Sequence, residues 1–291
     1  MNLKKVRHIL PAQEIDMDGV PVKQALPTQN VPILDPFLLL HHAQIELMHD
    51  RPARIQGVGP HPHRGFSPVT FVVDGELHHR DSRGNSQIAK VGEVQWMHAG
   101  AGIIHSERPS VAAVEQRMNQ EFVQLWINSP SASKMKIPVY THVAASDFTQ
   151  IDSVDGLSEL KLVAGNYQEK KGTIIPEGEL LIIWAVTKEG GKLVFDIPEG
   201  FNAAVYSIRG NMRIEGHGLV DPESMVIFEK EGESISLEAK SEAQYLLLAG
   251  KPIEEKVVQQ GPFVMNTETQ ILEAMRDYRM GKMGFLVEED L

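Results

Sequence analysis

Two pairs of residues in this sequence could bind a metal ion. His61 and His63 are separated by one residue, and His105 and Glu107 repeat that spacing about 40 residues later. Side chains two residues apart on a β-strand project from the same face, so each pair could present two donor atoms to one ion. Three imidazole nitrogens and one carboxylate suit a divalent transition metal, and in a six-coordinate ion they would leave two positions open. The spacing therefore predicts an open metal site for chemistry or small-ligand binding.

Short strands are predicted around and between the two pairs. Turn-forming residues recur about every eight to ten positions, at Asp74-Gly75, Ser82 to Asn85 and Val91-Gly92, with β-branched runs between them. The apolar segment Phe37 to Leu40 predicts a further strand. This pattern is typical of an antiparallel barrel or sandwich. Two strands facing each other across such a barrel would bring the four candidate ligands together.

The other histidines of the first half are weaker candidates. Adjacent His41 and His42 would project from opposite faces of a strand, which makes them poor ligands for one ion. His78 and His79 follow the Asp74-Gly75 turn, and we predict that they are hydrogen-bonded residues of a hairpin. His98 precedes a glycine-rich turn, where it could line the mouth of the pocket or simply be solvated.

Composition restricts the class of protein. The chain has 291 residues, a net charge of −11 and no cysteine. Without thiols it can form neither disulfides nor thiolate metal sites, so nitrogen and oxygen donors must hold any metal. The negative charge disfavours direct binding to nucleic acid. We find no run of about 18 apolar residues and no signal peptide pattern, so the sequence predicts a cytoplasmic protein that does not insert into a membrane.

The second half of the chain resembles a degenerate copy of the first. Gly65-Phe66 and the apolar run to Asp74-Gly75 are matched by Gly200-Phe201 and a run to Arg209-Gly210, an offset of 135 residues. The same offset aligns His61 and His63 with Asp196 and Pro198 in the sequence. It aligns His105 and Glu107 with Lys240 and Glu242. A second metal site is therefore not expected.

We predict two domains from this repeat. Residues 1–145 would form the metal-binding domain, and residues 146–291 a degenerate domain without metal. The C-terminal segment 251–291 is expected to pack back on the first domain. It contains a short helix, because Thr267 and Gln270 form a capping box ahead of apolar residues at helical spacing, and Gly281 would terminate it.

Four longer strings extend the metal pattern and resemble one known family. They are HPHRGF at 61–66, GEVQWMHAGAGIIHSE at 92–107, QLWINSP at 124–130 and GPFVMNT at 261–267. Together they resemble the pirin family of the cupin superfamily, over nearly the whole chain. The resemblance implies an all-β bicupin, with two antiparallel β-barrel domains of the jelly-roll type. It also implies one metal in the N-terminal domain, bound by His61, His63, His105 and Glu107.

The resemblance also implies an activity. Some pirins resemble quercetin 2,3-dioxygenases, so the expected reaction is cleavage of a flavonol by O₂ at iron(II), with Glu107 as the base. Phe66, Trp96 and Met97 are candidates for the apolar wall or for the core. Copper, nickel, manganese or zinc would also suit the ligand set.

An alternative function and one departure from the family pattern accompany this hypothesis. The protein could instead be a metal-dependent, redox-sensitive regulator that binds a transcription factor or a metabolic enzyme. The chain has Ser67-Pro68 where pirins commonly have Glu-Thr. The carboxylate ligand must therefore come from Glu107.

Overall fold

Short strands dominate the first half of the chain. The computed structural model of the protein describes residues 2–17 and 19–288. The elements of this half are β1 (Val6–Pro11), β2 (Gln13–Met17), β3 (Val20–Leu26), β4 (Phe37–Glu46), β5 (Val58–His63), β6 (Phe66–Asp74), β7 (Glu76–Asp81), β8 (Ser86–Lys90), β9 (Val94–His98), β10 (Ile103–Arg108), the one-turn helix α1 (Val111–Glu115), β11 (Asn119–Asn128) and β12 (Val139–Val143). A short 3₁₀ turn at Ala53–Ile55 precedes β5.

The second half continues in strands and ends in a helix. Its elements are β13 (Thr149–Ile151), β14 (Ser158–Ala164), β15 (Asn166–Tyr167), β16 (Lys170–Lys171), β17 (Leu180–Thr187), β18 (Lys192–Asp196), β19 (Asn202–Arg209), β20 (Met212–Ile214), β21 (Gly218–Val220), β22 (Ser224–Phe228), β23 (Ser234–Ala239), β24 (Ala243–Gly250), β25 (Val258–Gln260), β26 (Phe263–Met265) and α2 (Glu268–Arg279). None of the helices among the described residues has the length and apolarity needed to cross a membrane.

The chain divides into two compact units. We call the unit that contains the candidate ligands the histidine unit, and it comprises Glu14–Val22, Phe37–Ser146 and Ile253–Leu291. The second unit comprises Met1–Gln13, Lys23–Pro36 and Asp147–Pro252. Each unit contains a seven-stranded and a four-stranded antiparallel sheet. The prediction of an all-β protein with two antiparallel barrel domains and a short C-terminal helix is confirmed.

The candidate ligands lie on the smaller sheet of the histidine unit. Its strand order is β5-β10-β7-β8, and the larger sheet has the order β12-β9-β6-β11-β4-β3-β2. Strand β10 is paired with β5 on one side and β7 on the other, and His105 lies directly opposite His61. Thr70 of the larger sheet donates a hydrogen bond to Glu107 of the smaller one at 3.0 Å. The two sheets therefore face each other across an interior that contains polar side chains.

The C-terminal helix supports the strand that carries the first histidine pair. Arg64, directly after β5, donates to the Asp277 carboxylate of α2 at 3.1 Å and to the carbonyl of Ala101 at 2.7 Å. The backbone of Arg64 also exchanges hydrogen bonds with Pro262 and Val264. As predicted, α2 begins with a capping box between Thr267 and Gln270, and Gly281 follows it with φ of +72°.

A buried lysine joins three further segments of the same unit. Lys134 donates its three N–H groups to the carbonyls of Gly65 and Val264 and to Oδ1 of Asn128, at 2.6 to 3.0 Å. Burial lowers the pKa of this amine to about 8. Since an ammonium group has three donors, its hydrogen-bonding capacity is filled. Lys134 therefore holds the turn after β5 against β11 and β26.

The interior of the second unit is apolar at the positions where the histidine unit has its candidate metal-binding side chains. Strands β18 and β23 direct Leu193, Phe195, Ile235 and Leu237 into the buried core. These strands take the places in the β18-β23-β20-β21 sheet that β5 and β10 take in the histidine unit. Imidazoles are replaced by hydrocarbon, so this interior provides no donor atoms at those positions.

The constant offset of 135 residues does not hold along the whole repeat. It relates β6 to β19 within one residue, but β10 corresponds by topology to β23, which ends at Ala239. Lys240 and Glu242 lie beyond this strand, so their predicted correspondence with His105 and Glu107 is wrong. The connections between strands differ in length in the two copies, and one offset cannot describe both.

Candidate metal centre

The first two candidate ligands lie side by side at the end of β5. His61 is partly exposed and His63 is buried. Nδ1 of His61 is 2.8 Å from the carbonyl oxygen of Gly59, and Nδ1 of His63 is 3.4 Å from that of Pro262. Because a carbonyl oxygen only accepts, both Nδ1 atoms carry the proton. In this tautomer both Nε2 atoms carry a lone pair that can bind a cation.

His105 completes a group of three imidazoles. It is buried on β10, and its ring centroid is 4.4 Å from that of His61 and 4.9 Å from that of His63. Its Nε2 has no hydrogen-bond partner. One ligand nitrogen from each of the three rings lies within 4.8 Å of the others. Among the residues that the structure describes, these three side chains form the group whose ligand atoms lie close enough together to bind one metal ion.

Burial keeps the rings of His63 and His105 neutral. Desolvation, followed by the charge of His61, holds the pKa of His63 well below its usual value. Desolvation and the neighbouring histidines lower the pKa of His105 in the same way. Neutral imidazole is the form that binds metals. His63 and His105 are therefore in the form that binds a cation at neutral pH.

The arrangement of nitrogen atoms fits a metal ion. The Nε2 atoms of His61 and His63 are only 3.0 Å apart. Since both rings carry their proton on Nδ1, two lone pairs would face each other, and a cation between them would turn this repulsion into attraction. The orphaned Nε2 of His105 adds a third donor. A site with nitrogen donors and open positions suits a divalent transition metal such as iron, nickel, copper or zinc.

Glu107 lies two residues beyond His105, outside the group of three nitrogens. Its side chain is buried, and its two oxygens accept hydrogen bonds from Thr70 at 3.0 Å and from Gln124 at 2.7 Å. His105 and Glu107 line one small cavity in the barrel interior. A carboxylate has about four lone-pair positions, so two remain for a metal ion or a proton.

Aromatic side chains border the histidine group on one side. Phe66 and Trp126 lie with their ring centroids 5.0 and 5.2 Å from that of His63, and 4.4 Å from each other. Met97 lines the cavity beside Glu107. Trp96 is adjacent to Met97 on β9 and projects from the opposite face, so it does not line this cavity. Two of the three residues predicted for the wall, Phe66 and Met97, thus lie at the site.

Three other buried histidines of the histidine unit, His41, His42 and His98, are not part of the cluster. His42 pairs with the Glu121 carboxylate at 2.9 Å. His41 projects from the other face of β4, opposite Gln124, and burial lowers its pKa to about 4. His98 is buried and lies 3.3 Å from the hydroxyl of Ser67, the residue that departs from the family pattern. His42 and His98 therefore have partners outside the cluster, whereas His41 lies beside Gln124, the residue that donates to Glu107.

Sequence reasoning did not identify the residues that hold the candidate ligands. Thr70 and Gln124 contact Glu107 only because β6 and β11 are paired and face β10. His78 and His79 are hydrogen-bonded hairpin residues as predicted, to Ser86 and Asp81 respectively. His79 also reaches His105, which the sequence pattern did not indicate. Only the pairing of distant strands reveals these contacts.

Comparison with known proteins gives consistent matches along the chain. The family model named Pirin matches residues 19–127, and the model of the pirin C-terminal cupin domain matches residues 184–284. A Pseudomonas aeruginosa protein provisionally named as a quercetin 2,3-dioxygenase is 35% identical over 269 residues, covering 91% of this chain and 92% of that protein. A pirin-like protein of Solanum lycopersicum is 34% identical over 283 residues, covering 96% and 92%.

A solved structure agrees with these matches. The crystal structure of quercetin 2,3-dioxygenase from Acinetobacter baumannii is 35% identical to this chain and covers 98% of it, and the chain covers all of that protein, with a TM-score of 0.90. The similarity extends over both units. It confirms a cupin-type fold for each of them.

Proposed function

Because this chain belongs to the pirin family, we propose that it is a mononuclear metal-dependent dioxygenase that cleaves a flavonol such as quercetin with O₂. The metal is iron(II), held in the histidine unit by His61, His63, His105 and Glu107. The second unit binds no metal. The flavonol and O₂ are the small-molecule partners of the site.

The observation that carries this proposal is the convergence of three bare imidazole nitrogens next to a buried carboxylate. The three nitrogens lie within 4.8 Å of one another, and Glu107 projects from the same face of β10 as His105. Three nitrogens and one oxygen leave two positions of an octahedral ion for ligands. A purely structural metal site would instead be closed by protein donors.

Iron(II) held by these four residues would supply two open coordination positions for the flavonol and O₂. The protein's contribution begins with Glu107, whose carboxylate accepts the proton of the flavonol 3-hydroxyl. Thr70 and Gln124 each hold one oxygen of that carboxylate. They fix its orientation and leave lone pairs free for the proton.

The aromatic residues beside His63 supply the apolar part of the site. Phe66 is fully buried, and Trp126 packs against it. They limit the access of water to the histidine side of the site. The indole N–H of Trp126 donates to Oε1 of Gln124 at 3.3 Å. This wall is thereby linked to the residue that holds Glu107.

Anaerobic reconstitution tests the proposal. Metal-free protein is loaded with iron(II) and mixed with quercetin, and O₂ is then admitted while flavonol absorbance and released carbon monoxide are measured. The Glu107→Gln variant should lose turnover because an amide cannot accept the proton. Glu121→Gln is the matched control, since Glu121 is an equally buried carboxylate that pairs with His42.

Two results decide the question. Consumption of quercetin with carbon monoxide release in the wild type and in Glu121→Gln, but not in Glu107→Gln, supports the proposal. If the iron-loaded wild type releases no more carbon monoxide than Glu107→Gln, the dioxygenase assignment is wrong.

A further inference from the structure

Strand β7 places a second pair of polar side chains next to the candidate ligands. Its register with β10 sets Asp81 opposite His105 and His79 opposite Glu107. Opposed residues of paired strands project from the same face, so all four side chains point into the barrel. His79 and Asp81 are both buried.

These side chains form a chain of hydrogen bonds that ends at His105. Nε2 of His79 is 3.1 Å from Oδ2 of Asp81, and Nδ1 of His79 is 3.4 Å from Nδ1 of His105. The second ring nitrogen of His105, Nε2, has no hydrogen-bond partner. The chain therefore runs from a carboxylate through two rings to the nitrogen that faces the other ligands.

The carboxylate at the start of the chain is fixed by the turn between β7 and β8. Asp81 accepts hydrogen bonds from the backbone N–H groups of Arg83 and Asn85 and from the Asn85 side chain, at 2.7 to 3.1 Å. Together with His79, these donors outweigh the effect of burial and lower the pKa of Asp81. Asp81 is thus an anion that can only accept.

This anion fixes the position of every proton in the chain. Since Asp81 only accepts, Nε2 of His79 carries a proton, and Nδ1 of this ring is the atom that faces Nδ1 of His105. A proton on Nδ1 of His105 is donated to Nδ1 of His79, which leaves the partnerless Nε2 of His105 bare. Tyr140 stacks on the His79 ring with centroids 4.1 Å apart and planes 11° from parallel, so the ring cannot easily rotate.

We propose that His79 and Asp81 are positioning residues that lock the tautomer and orientation of His105 and increase its electron donation to the metal. This inference rests on the proposed metal site. Two of the three histidines donate to neutral backbone carbonyls, whereas His105 is linked through a ring to a full negative charge. His105 is therefore the ligand through which the protein tunes the metal most strongly.

Asp81→Asn is the most informative substitution. It keeps the shape of the side chain and removes the charge. Its amide can also donate to Nε2 of His79, which would reverse both rings and place the His105 proton on Nε2. His79→Leu removes the connection altogether. His78→Gln is the matched control, because His78 lies next to His79 but bonds to Ser86 on the hairpin surface.

Metal affinity is measured by calorimetric titration of the metal-free full-length proteins with nickel(II). Outer residues that orient a metal-bound histidine typically contribute 10–100-fold to affinity. We expect weakening on the order of 10–100-fold for Asp81→Asn and His79→Leu, and none for His78→Gln. Circular dichroism of each metal-free variant checks that it is folded.

The iron(III)/iron(II) midpoint potential is a second readout that a merely structural role would not move. Loss of the anion makes His105 a poorer donor and disfavours iron(III), so the potential of Asp81→Asn should shift in the positive direction. Wild-type affinity and potential in folded Asp81→Asn and His79→Leu would overturn the inference while leaving the metal site intact. A wild type that binds no nickel(II) would overturn the metal site and this inference together.

Discussion

Replacement of His41 should remove part of the pH dependence of folding. His41 is buried on β4 opposite Gln124, and it is not one of the proposed ligands. Burial lowers its pKa from 6.5 to about 4. In the unfolded chain the ring is hydrated and titrates near 6.5. Between pH 6.5 and 4 the unfolded state therefore binds more protons than the folded state, and protonation favours unfolding.

The size of this effect follows from the two pKa values. The stabilising contribution of neutral, buried His41 to the free energy of unfolding is fully present above pH 6.5 and is lost as the pH falls toward 4. For one group with these values, the free energy of unfolding should decrease by about 2 kcal/mol between pH 8 and pH 5. His41→Gln keeps a polar side chain but cannot bind this proton. Its stability should therefore fall by about 2 kcal/mol less over the same interval.

Urea unfolding of metal-free protein at several pH values between 5 and 8, followed by tryptophan fluorescence, measures the difference. The buried histidines of the cluster contribute equally to both proteins, so subtraction isolates His41. His217→Gln serves as the control, because this exposed residue of the second unit is solvated in both states. If His41→Gln and the wild type lose stability in parallel from pH 8 to pH 5, the argument from burial is wrong.

Three further predictions concern the histidine unit. Nickel(II) at 100 times its dissociation constant should raise the free energy of unfolding by about 2.7 kcal/mol in a thermal or urea melt, and His105→Ala should abolish this gain. Thr70→Val should destabilise the metal-free protein by about 1.5–3 kcal/mol in urea unfolding, because the buried Glu107 carboxylate loses one of its two donors; an unchanged midpoint would contradict the assigned hydrogen bond. Gly65→Ala should lower the free energy of unfolding by at least about 1–2 kcal/mol. The reason is that Gly65 has φ of +88° and a Cβ would lie 2.0 Å from the carbonyl oxygen of Val264. Wild-type stability of this variant would show that the turn can relax.

Local patterns in the sequence predicted the parts of the site that depend on alternation along one strand. His61 and His63 share a face of β5 because they are two residues apart, and their Nε2 atoms lie 3.0 Å from each other. The capping box of α2 was equally local, since Thr267 and Gln270 are within one turn. Such features need only the geometry of a single element.

Features that depend on strand pairing could not be predicted in this way. The strand predicted at Phe37 to Leu40 continues to Glu46, because it pairs with β11 along this whole length. Within that pairing, His42 is buried against the Glu121 carboxylate. The contact of His79 with His105 likewise requires the register of β7 against β10. Neither partner is visible without knowing which strands are neighbours.

The support that Arg64 receives from the last part of the chain has a consequence for biosynthesis. Pro262, Val264 and Asp277 hold the end of β5, yet they emerge from the ribosome some 200 residues after His61 and His63. A nascent chain that stops before this segment lacks the contacts that fix the first two imidazoles. The metal site proposed above should therefore take its final geometry only after the C-terminal segment has been synthesised.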